Sequence, residues 1–334
     1  MSKIIYLIGA GASYGERNDK FNGMSRYVSG MPVMNEIADC LTRYCEYLQP
    51  SISIGGKSII THYPHVYGEM TWLRDIAKNN NTVDTYAMKL SKTGNVDELK
   101  RLKRALAIFF SLIQSYDKRD KRYEGFMSSV ADNLGRINSN ISVLSWNYDR
   151  QFEYALHDFE VSKTSSTHQL KYSNISCKNL TTNFFDPNES NIVKLNGTAS
   201  FKSTEDSYLF QEDEYDIAVF ERLLRINDTN WVDGISYAWE ENDAFFQKVL
   251  PLTSDTETLI IIGYSLPIVN ARIDKMIIEQ MHNLKSVVIQ DLNCDSLADK
   301  LLELLPDDKK KEIEGHIKLI KEVDSFYIPV PAIL

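Results

Sequence analysis

After its first lysine, the run Lys3 to Ile8 is apolar and isoleucine-rich without alternation, and it leads straight into Gly9-Ala-Gly-Ala-Ser13. A run of this kind has no polar face to show to water, so it fits a central parallel strand covered on both sides. Four similar runs follow: Ile141 to Ser145, Ile192 to Leu195, Leu259 to Ile262 and Ser286 to Gln290. Five buried strands separated by helical stretches predict an α/β fold, a Rossmann-like parallel sheet flanked by helices.

More than a hundred residues separate the first two runs, too many for one crossover helix. Helical spacing covers Ile37 to Tyr47, Val83 to Leu90 and Val96 through Tyr116, the last with Leu99, Leu102, Leu106, Phe109, Phe110 and Ile113 on one stripe. The expected division is therefore a core of residues 1–31 and 131–334 interrupted by a mainly helical insert, 32–130, that makes partner or self contacts. Ser51 to Tyr63 suits a small hairpin or a loop. Arg150 to Asp158 is expected to be a helix, followed by a polar stretch to Ser173. The tail from Leu297 to Lys321 predicts a charged helix interrupted at Pro306.

The 334 residues are 43% hydrophobic and 25% charged, ordinary for a chain that buries a sizeable core. With 46 acidic against 37 basic residues the net charge is −9, which excludes a global attraction to nucleic-acid phosphate. The basic runs Lys100 to Arg104 and Lys118 to Arg122 read first as solvated helix faces, with nucleic-acid contact as the alternative. Cys40, Cys45, Cys177 and Cys294 form no CxxC pair, so no zinc knuckle, other metal site or disulfide framework is expected, and a reducing, cytoplasmic setting fits. No stretch approaches the ~20 apolar residues of a membrane span, and the first apolar run meets glycines rather than a cleavage site. The chain is thus expected to be neither secreted nor membrane-embedded. His157 and His168 read as surface or packing residues, while His62 and His65 have no acidic or cysteine partner close in sequence.

Three segments carry candidate chemistry. At Gly9, Ala10, Gly11, Ala12 and Ser13, small residues after a buried strand let backbone amides approach a pyrophosphate; a tight strand-to-helix turn is the competing use. Ser145-Trp-Asn-Tyr-Asp149 ends the second run, where open α/β sheets bind ligands. There Asn147 can hold ribose hydroxyls or a water, and Asp149 can accept from a carboxamide, unless Asn147 caps the next helix. Gln290-Asp-Leu-Asn293 offers Asp291 and Asn293 as adenine or ribose contacts, or as helix-capping groups.

Together with Gly263-Tyr-Ser265 after the fourth run, the Gly-Ala-Gly-Ala-Ser and Trp-Asn-Tyr-Asp segments resemble the sirtuin-like NAD-binding domains of many bacterial proteins. The resemblance spans the scattered strands but not the insert. It implies that Gly9 to Ser13 hold the pyrophosphate of NAD and that Gly263, Tyr264 and Ser265 lie near the adenosine half. Asn147 would act at the nicotinamide ribose and Asp149 at the carboxamide. The family usually carries Leu-His-Gly on the third strand; here the segment is Lys194-Leu-Asn-Gly-Thr198, and Asn196 takes no proton near pH 7. Deacylation needs a deprotonated ribose hydroxyl, whereas hydrolysis relies on stabilising an oxocarbenium-like state. Deacylating sirtuins also usually carry a four-cysteine zinc module, which these four cysteines do not form.

The resemblance therefore implies an NAD glycohydrolase releasing nicotinamide and ADP-ribose, with Asn147, Asp149 and Asn196 at its catalytic centre. Relatives of this kind are often antiviral-defence effectors that work as homo-oligomers or beside an ATPase or Argonaute-like partner. A non-catalytic module that binds NAD or ADP-ribose and assembles with such a partner is the second expectation, and a nucleic-acid-processing subunit the third.

Overall fold

The computed structural model describes residues 3–16, 30–47, 53–54, 57–58, 63–116, 120–132, 135–159, 175–178, 185–186, 188–202, 217–225, 232–240 and 242–332. The first half of the chain holds β1 (Lys3–Ile8), a 3-10 turn (Ala10–Ser13), α1 (Ile37–Tyr47), β2 (Ser53–Ile54), β3 (Lys57–Ser58), α2 (Pro64–Asn79), α3 (Val83–Thr93), α4 (Val96–Tyr116), α5 (Lys121–Val130), β4 (Ile141–Ser145) and α6 (Gln151–Phe159). The second half holds β5 (Ile175–Cys177), β6 (Ile192–Lys194), β7 (Gly197–Lys202), α7 (Ile217–Arg225), β8 (Val232–Ile235), α8 (Asp243–Thr253), β9 (Thr256–Ile262), α9 (Ala271–Glu279), β10 (Ser286–Gln290), α10 (Cys294–Leu304), α11 (Asp307–Glu314) and β11 (Ile317–Ile320).

Seven strands form one sheet in the order β11-β10-β9-β1-β4-β6-β5, and every pairing is parallel. The α/β, Rossmann-like fold read from the apolar runs is the observed one. All five runs are strands, and β1 lies at the centre of the sheet. The two additional strands are its edges. The tail breaks at Pro306 between α10 and α11 as expected, but it is not helical to Lys321: α11 stops at Glu314 and Ile317–Ile320 pairs with β10. An edge strand has one neighbour and half its surface in water, so it needs no apolar run to form.

The register decides where the candidate residues emerge. Ile8 pairs with Ser145 on one side and Ile262 on the other, Ser145 pairs with Lys194, and Ile262 pairs with Gln290. Gly9, Trp146, Leu195, Gly263 and Asp291 therefore leave the sheet in one row along its carboxyl edge. The chain steps from β1 to β4 and on to the edge strand β5, comes back to fill the gap with β6, and then crosses to β9 on the opposite side of β1. This reversal makes the carboxyl end of β1 the topological switch point, where parallel sheets open a crevice.

Alternation divides the strand side chains between two cores. Ile5, Leu7, Leu144, Val193 and Ile261 pack with α8, α9 and α10, while Ile4, Tyr6, Ile8, Val143 and Ile260 pack with α5 and α6. A third core joins α1 to α4 with α7, β7 and β8, through residues such as Leu41, Met70, Ala87, Phe109 and Phe220. Helix α5, at the end of the stretch read as the insert, thus covers the sheet. The undecided stretch before Tyr63 contains the antiparallel pair β2 and β3.

The first basic run is largely occupied within the molecule. Arg101 pairs with Glu69 and lies 4.1 Å over the Trp72 ring, and Lys103 pairs with Glu240. In the second run, Lys118 lies outside the described residues, and Arg122 pairs with Asp120 and donates to the Ala12 carbonyl at 3.0 Å. The end of the polar stretch before Ser173, with His168, and also His62, lie outside the described residues.

Candidate functional site

The glycine loop after β1 is built by backbone contact with the loop after β9. The Gly9 amide donates to the Ile262 carbonyl at 3.1 Å, the Gly11 amide to Gly263 at 2.8 Å and the Ala12 amide back to Gly9 at 2.9 Å. A Cβ added at Gly9 or Gly11 would stand 2.7 Å from Tyr264 Cα or 2.8 Å from Gly263 Cα. Gly263 adopts φ +56°, and a Cβ there would meet the Ala12 nitrogen at 2.2 Å. These glycines serve the close approach of two backbones, and three loop amides are used inside the protein. The tight-turn use is thus present here, while Ala10 and Tyr14 stand exposed at the crevice. Leu266 follows at φ +48°, a left-handed conformation that a leucine holds only under the constraint of its surroundings.

Ser13, at the end of the 3-10 turn, is the hub of a buried polar cluster. Its Oγ lies 2.7 Å from the Tyr123 hydroxyl of α5, accepts from Asn147 Nδ2 at 3.1 Å and hydrogen-bonds the Asp149 carboxyl. A hydroxyl carries one proton. With that hydroxyl donating to Asp149, Ser13 accepts from both Asn147 and Tyr123. Burial drives the Tyr123 phenol well above its ordinary range and so keeps it neutral.

Asp149, not Asn147, starts α6. Asp149 Oδ1 accepts from the Gln151 amide at 3.0 Å, the service expected of a helix-capping carboxylate. Burial raises the Asp149 carboxyl, opposed by the Lys194 ammonium, the Gln151 amide and the Ser13 hydroxyl. Beneath it, Lys194 of β6 pairs with Glu153 at 3.0 Å and donates to the Asp149 carbonyl, with both charged side chains shut off from water. Asn147 is left free of capping duty, with its amide hydrogens aimed across the switch point.

Asn196 leaves β6 beside these residues. Leu195 donates to the Ser145 carbonyl at 2.8 Å and Ala199 to the Tyr148 carbonyl at 2.7 Å, so the two strand extensions run together. Asn196 is 9% exposed, and its Oδ1 has no hydrogen-bond partner among the described residues. A buried amide oxygen without a donor costs ~1–3 kcal/mol unless something supplies one.

The remaining predicted residues divide. Tyr264 is buried, stacked on Trp146 at 6.1 Å and 18°, with its hydroxyl on Asp274 at 2.6 Å, so its side chain belongs to the core. Ser265 offers its carbonyl to Lys300 at 3.0 Å. Asp291 Oδ1 accepts from the Asn293 amide at 2.8 Å, the turn that opens α10, and Asn293 is exposed. Gly9–Ser13, Asn147 and Asp149 are thus brought into one hydrogen-bonded group, with Gly263 and Tyr264 against it. Asp291 and Asn293 stand further along the same edge.

Tyr123, Lys194 and Asp274 complete the cluster and were not singled out from the sequence. Two of them left a trace. Lys194 interrupts an apolar strand, and Asp274 shares a helical stripe with Ile277 and Ile278. Tyr123 left none. His65 has an acidic partner after all, Glu221 at 2.7 Å, supplied by distant α7. All four cysteines are buried, and none forms a disulfide. Among the described residues no group of histidine, cysteine and acidic side chains is arranged to hold a metal, and no helix is long and apolar enough to cross a membrane.

These features define an α/β protein of Rossmann-like architecture with a polar candidate site at the switch point of its sheet. No family model matches the chain, and no curated protein matches it.

Proposed function

We propose that the chain binds NAD at the carboxyl edge of β1, β4 and β9 and hydrolyses its nicotinamide–ribose bond. The observation that carries this reading is the hydrogen bond from Asn147 Nδ2 to Ser13 Oγ. It ties the glycine loop to the β4 loop at the place where a parallel sheet receives a nucleotide. The resemblance of the three motifs to sirtuin-like domains points the same way.

In the reaction, water adds to the anomeric carbon of the ribose, the carbon–nitrogen bond breaks, and its electron pair leaves with neutral nicotinamide. The proton of the water goes to solvent. Positive charge grows on the ribose during this step, and fixed negative dipoles stabilise it. With Nδ2 held by Ser13, Asn147 has its Oδ1 to offer to the ribose or to the incoming water. Asp149 accepts from the carboxamide, and Asn196 Oδ1 positions a ribose hydroxyl, which would give that buried oxygen its missing donor.

A second reading is favoured by Asn196 itself. Without an imidazole at that position, a module that binds NAD or ADP-ribose and regulates or assembles a partner needs no base. Under either reading, a role in antiviral defence, self-assembly and an ATPase or Argonaute-like partner rest on the resemblance alone. Incubating the purified chain with NAD and measuring both retained nucleotide and released nicotinamide separates them: release supports hydrolysis, binding without release the module, and neither overturns both.

A further inference from the structure

Asp274 of α9 is buried, and its carboxylate is shared by two loops of the site. Oδ1 accepts from the Trp146 indole N–H at 3.0 Å and Oδ2 from the Tyr264 hydroxyl at 2.6 Å. That hydroxyl in turn accepts from Asn270 Nδ2 at 3.0 Å. Trp146 directly precedes Asn147, and its amide donates to Ile8, the last residue of β1, at 3.0 Å. Tyr264 directly follows Gly263, whose carbonyl holds the Gly11 amide. One carboxylate on the far side of the two stacked rings thus joins the loops that flank Gly9–Ser13.

We propose that Asp274 is a positioning residue of the candidate site: by accepting from Trp146 and Tyr264 together, it sets the spacing of the β4 and β9 loops and with it the place of Asn147. The clamp is a property of the fold, and only its consequence for NAD rests on the function proposed above. An indole N–H donates and never accepts, so Trp146 has no alternative use for a protonated or missing oxygen. Burial lifts the Asp274 carboxyl to about 7, with the Tyr264 and Trp146 donors pulling against it. The Tyr264 phenol is driven well above its usual range by burial and stays neutral throughout. The other charged groups of α9 are Arg272, Lys275 and Glu279, and the helices packed against it, α8 and α10, carry Asp243, Lys248, Asp295, Asp299, Lys300 and Glu303. Ionised, the carboxylate receives both rings; once protonated, it has one oxygen fewer to offer them.

The test uses the full chain labelled with ¹⁵N in tryptophan and asparagine, with Trp146→Phe and Asn147→Asp to assign the two resonances. Between about pH 5.5 and 8.5 the Trp146 indole resonance should titrate with a midpoint near 7, and Asp274→Asn should abolish that titration. Asp274→Asn should also displace the Asn147 amide resonance and weaken NAD binding about tenfold. Should Asp274→Asn not fold, Tyr264→Phe removes one donor to the ionised form and should move the midpoint upward. A Trp146 indole resonance that Asp274→Asn leaves in place, or an Asn147 resonance indifferent to Asp274→Asn, overturns the proposal. A wild-type chain that does not bind NAD overturns the proposed function instead, and the two resonances still decide the role of Asp274.

Discussion

Asn147 Nδ2 and Ser13 Oγ are 134 positions apart in the chain and 3.1 Å apart in space, and the hydrogen bond between them closes the crevice end of β1 against that of β4. Ser13 serves Tyr123 and Asp149 as well. Ser13→Ala would strip one partner from each of three buried polar groups at once. We expect a loss of ~2–4 kcal/mol in stability, more than one ordinary hydrogen bond contributes, measured by denaturant unfolding. A loss below about 0.5 kcal/mol would mean that the cluster is wetter and looser than this geometry requires.

Glycines in this chain differ sharply in what they tolerate. Gly263→Ala puts a Cβ 2.2 Å from the Ala12 nitrogen at φ +56°, so the two loops must separate, and the expected cost is several kcal/mol or failure to fold. Gly125 in α5 and Gly68 in α2 have open space around them. Alanine there should stabilise by ~0.5–1 kcal/mol through helix propensity. Thermal unfolding of the three variants side by side checks both signs.

Lys194 and Glu153 form a pair shut away from water. Lys194→Met leaves the Glu153 and Asp149 carboxylates without their shared cation, and the expected destabilisation is ~3–5 kcal/mol. Adding Glu153→Leu should recover a good part of it, because an apolar pair of similar volume carries no desolvation penalty. A double variant no more stable than the single one would show that the pair holds the cluster by shape rather than by charge.

The central strands were legible in the sequence and the edges were not, for one physical reason. A strand between two neighbours and two helical layers is mostly apolar along its middle, so β1, β4, β6, β9 and β10 announce themselves as apolar stretches with few polar residues. Ile175–Cys177 and Ile317–Ile320 have one neighbour each and leave no such mark. The same contrast holds in the site. The glycine loop and the Asn147–Asp149 segment are local patterns and could be read. Which of Asn147 and Asp149 caps α6 depends on Ser13, and the roles of Tyr123, Lys194 and Asp274 depend on partners more than forty positions away or on another element. No local spacing records them.

The titration of Asp274 has a consequence for stability with a definite sign. Its carboxyl stands at about 7 in the folded chain against 3.8 for a free side chain. Between those values the folded chain keeps a proton that the unfolded chain has lost, so stability falls as pH rises through the window and levels off above it. The contribution is at most about 4 kcal/mol. Urea midpoints measured from about pH 4.5 to 8 for the wild type and Asp274→Asn should diverge across that range, the variant lacking this downward slope. Parallel curves would place the Asp274 carboxyl in the ordinary range in the folded chain.

The central claim is that Asn147 acts on the ribose as charge develops there, while the nucleotide is held mainly by other contacts. The direct measurement is nicotinamide release from NAD by wild type and Asn147→Ala, with NAD affinity measured by calorimetry on the same preparations. Interactions made in the transition state alter turnover more than ground-state binding, so release should fall by ~10²-fold or more while affinity changes little. Release that survives in Asn147→Ala, or a wild-type chain that binds NAD and releases no nicotinamide, would contradict the account.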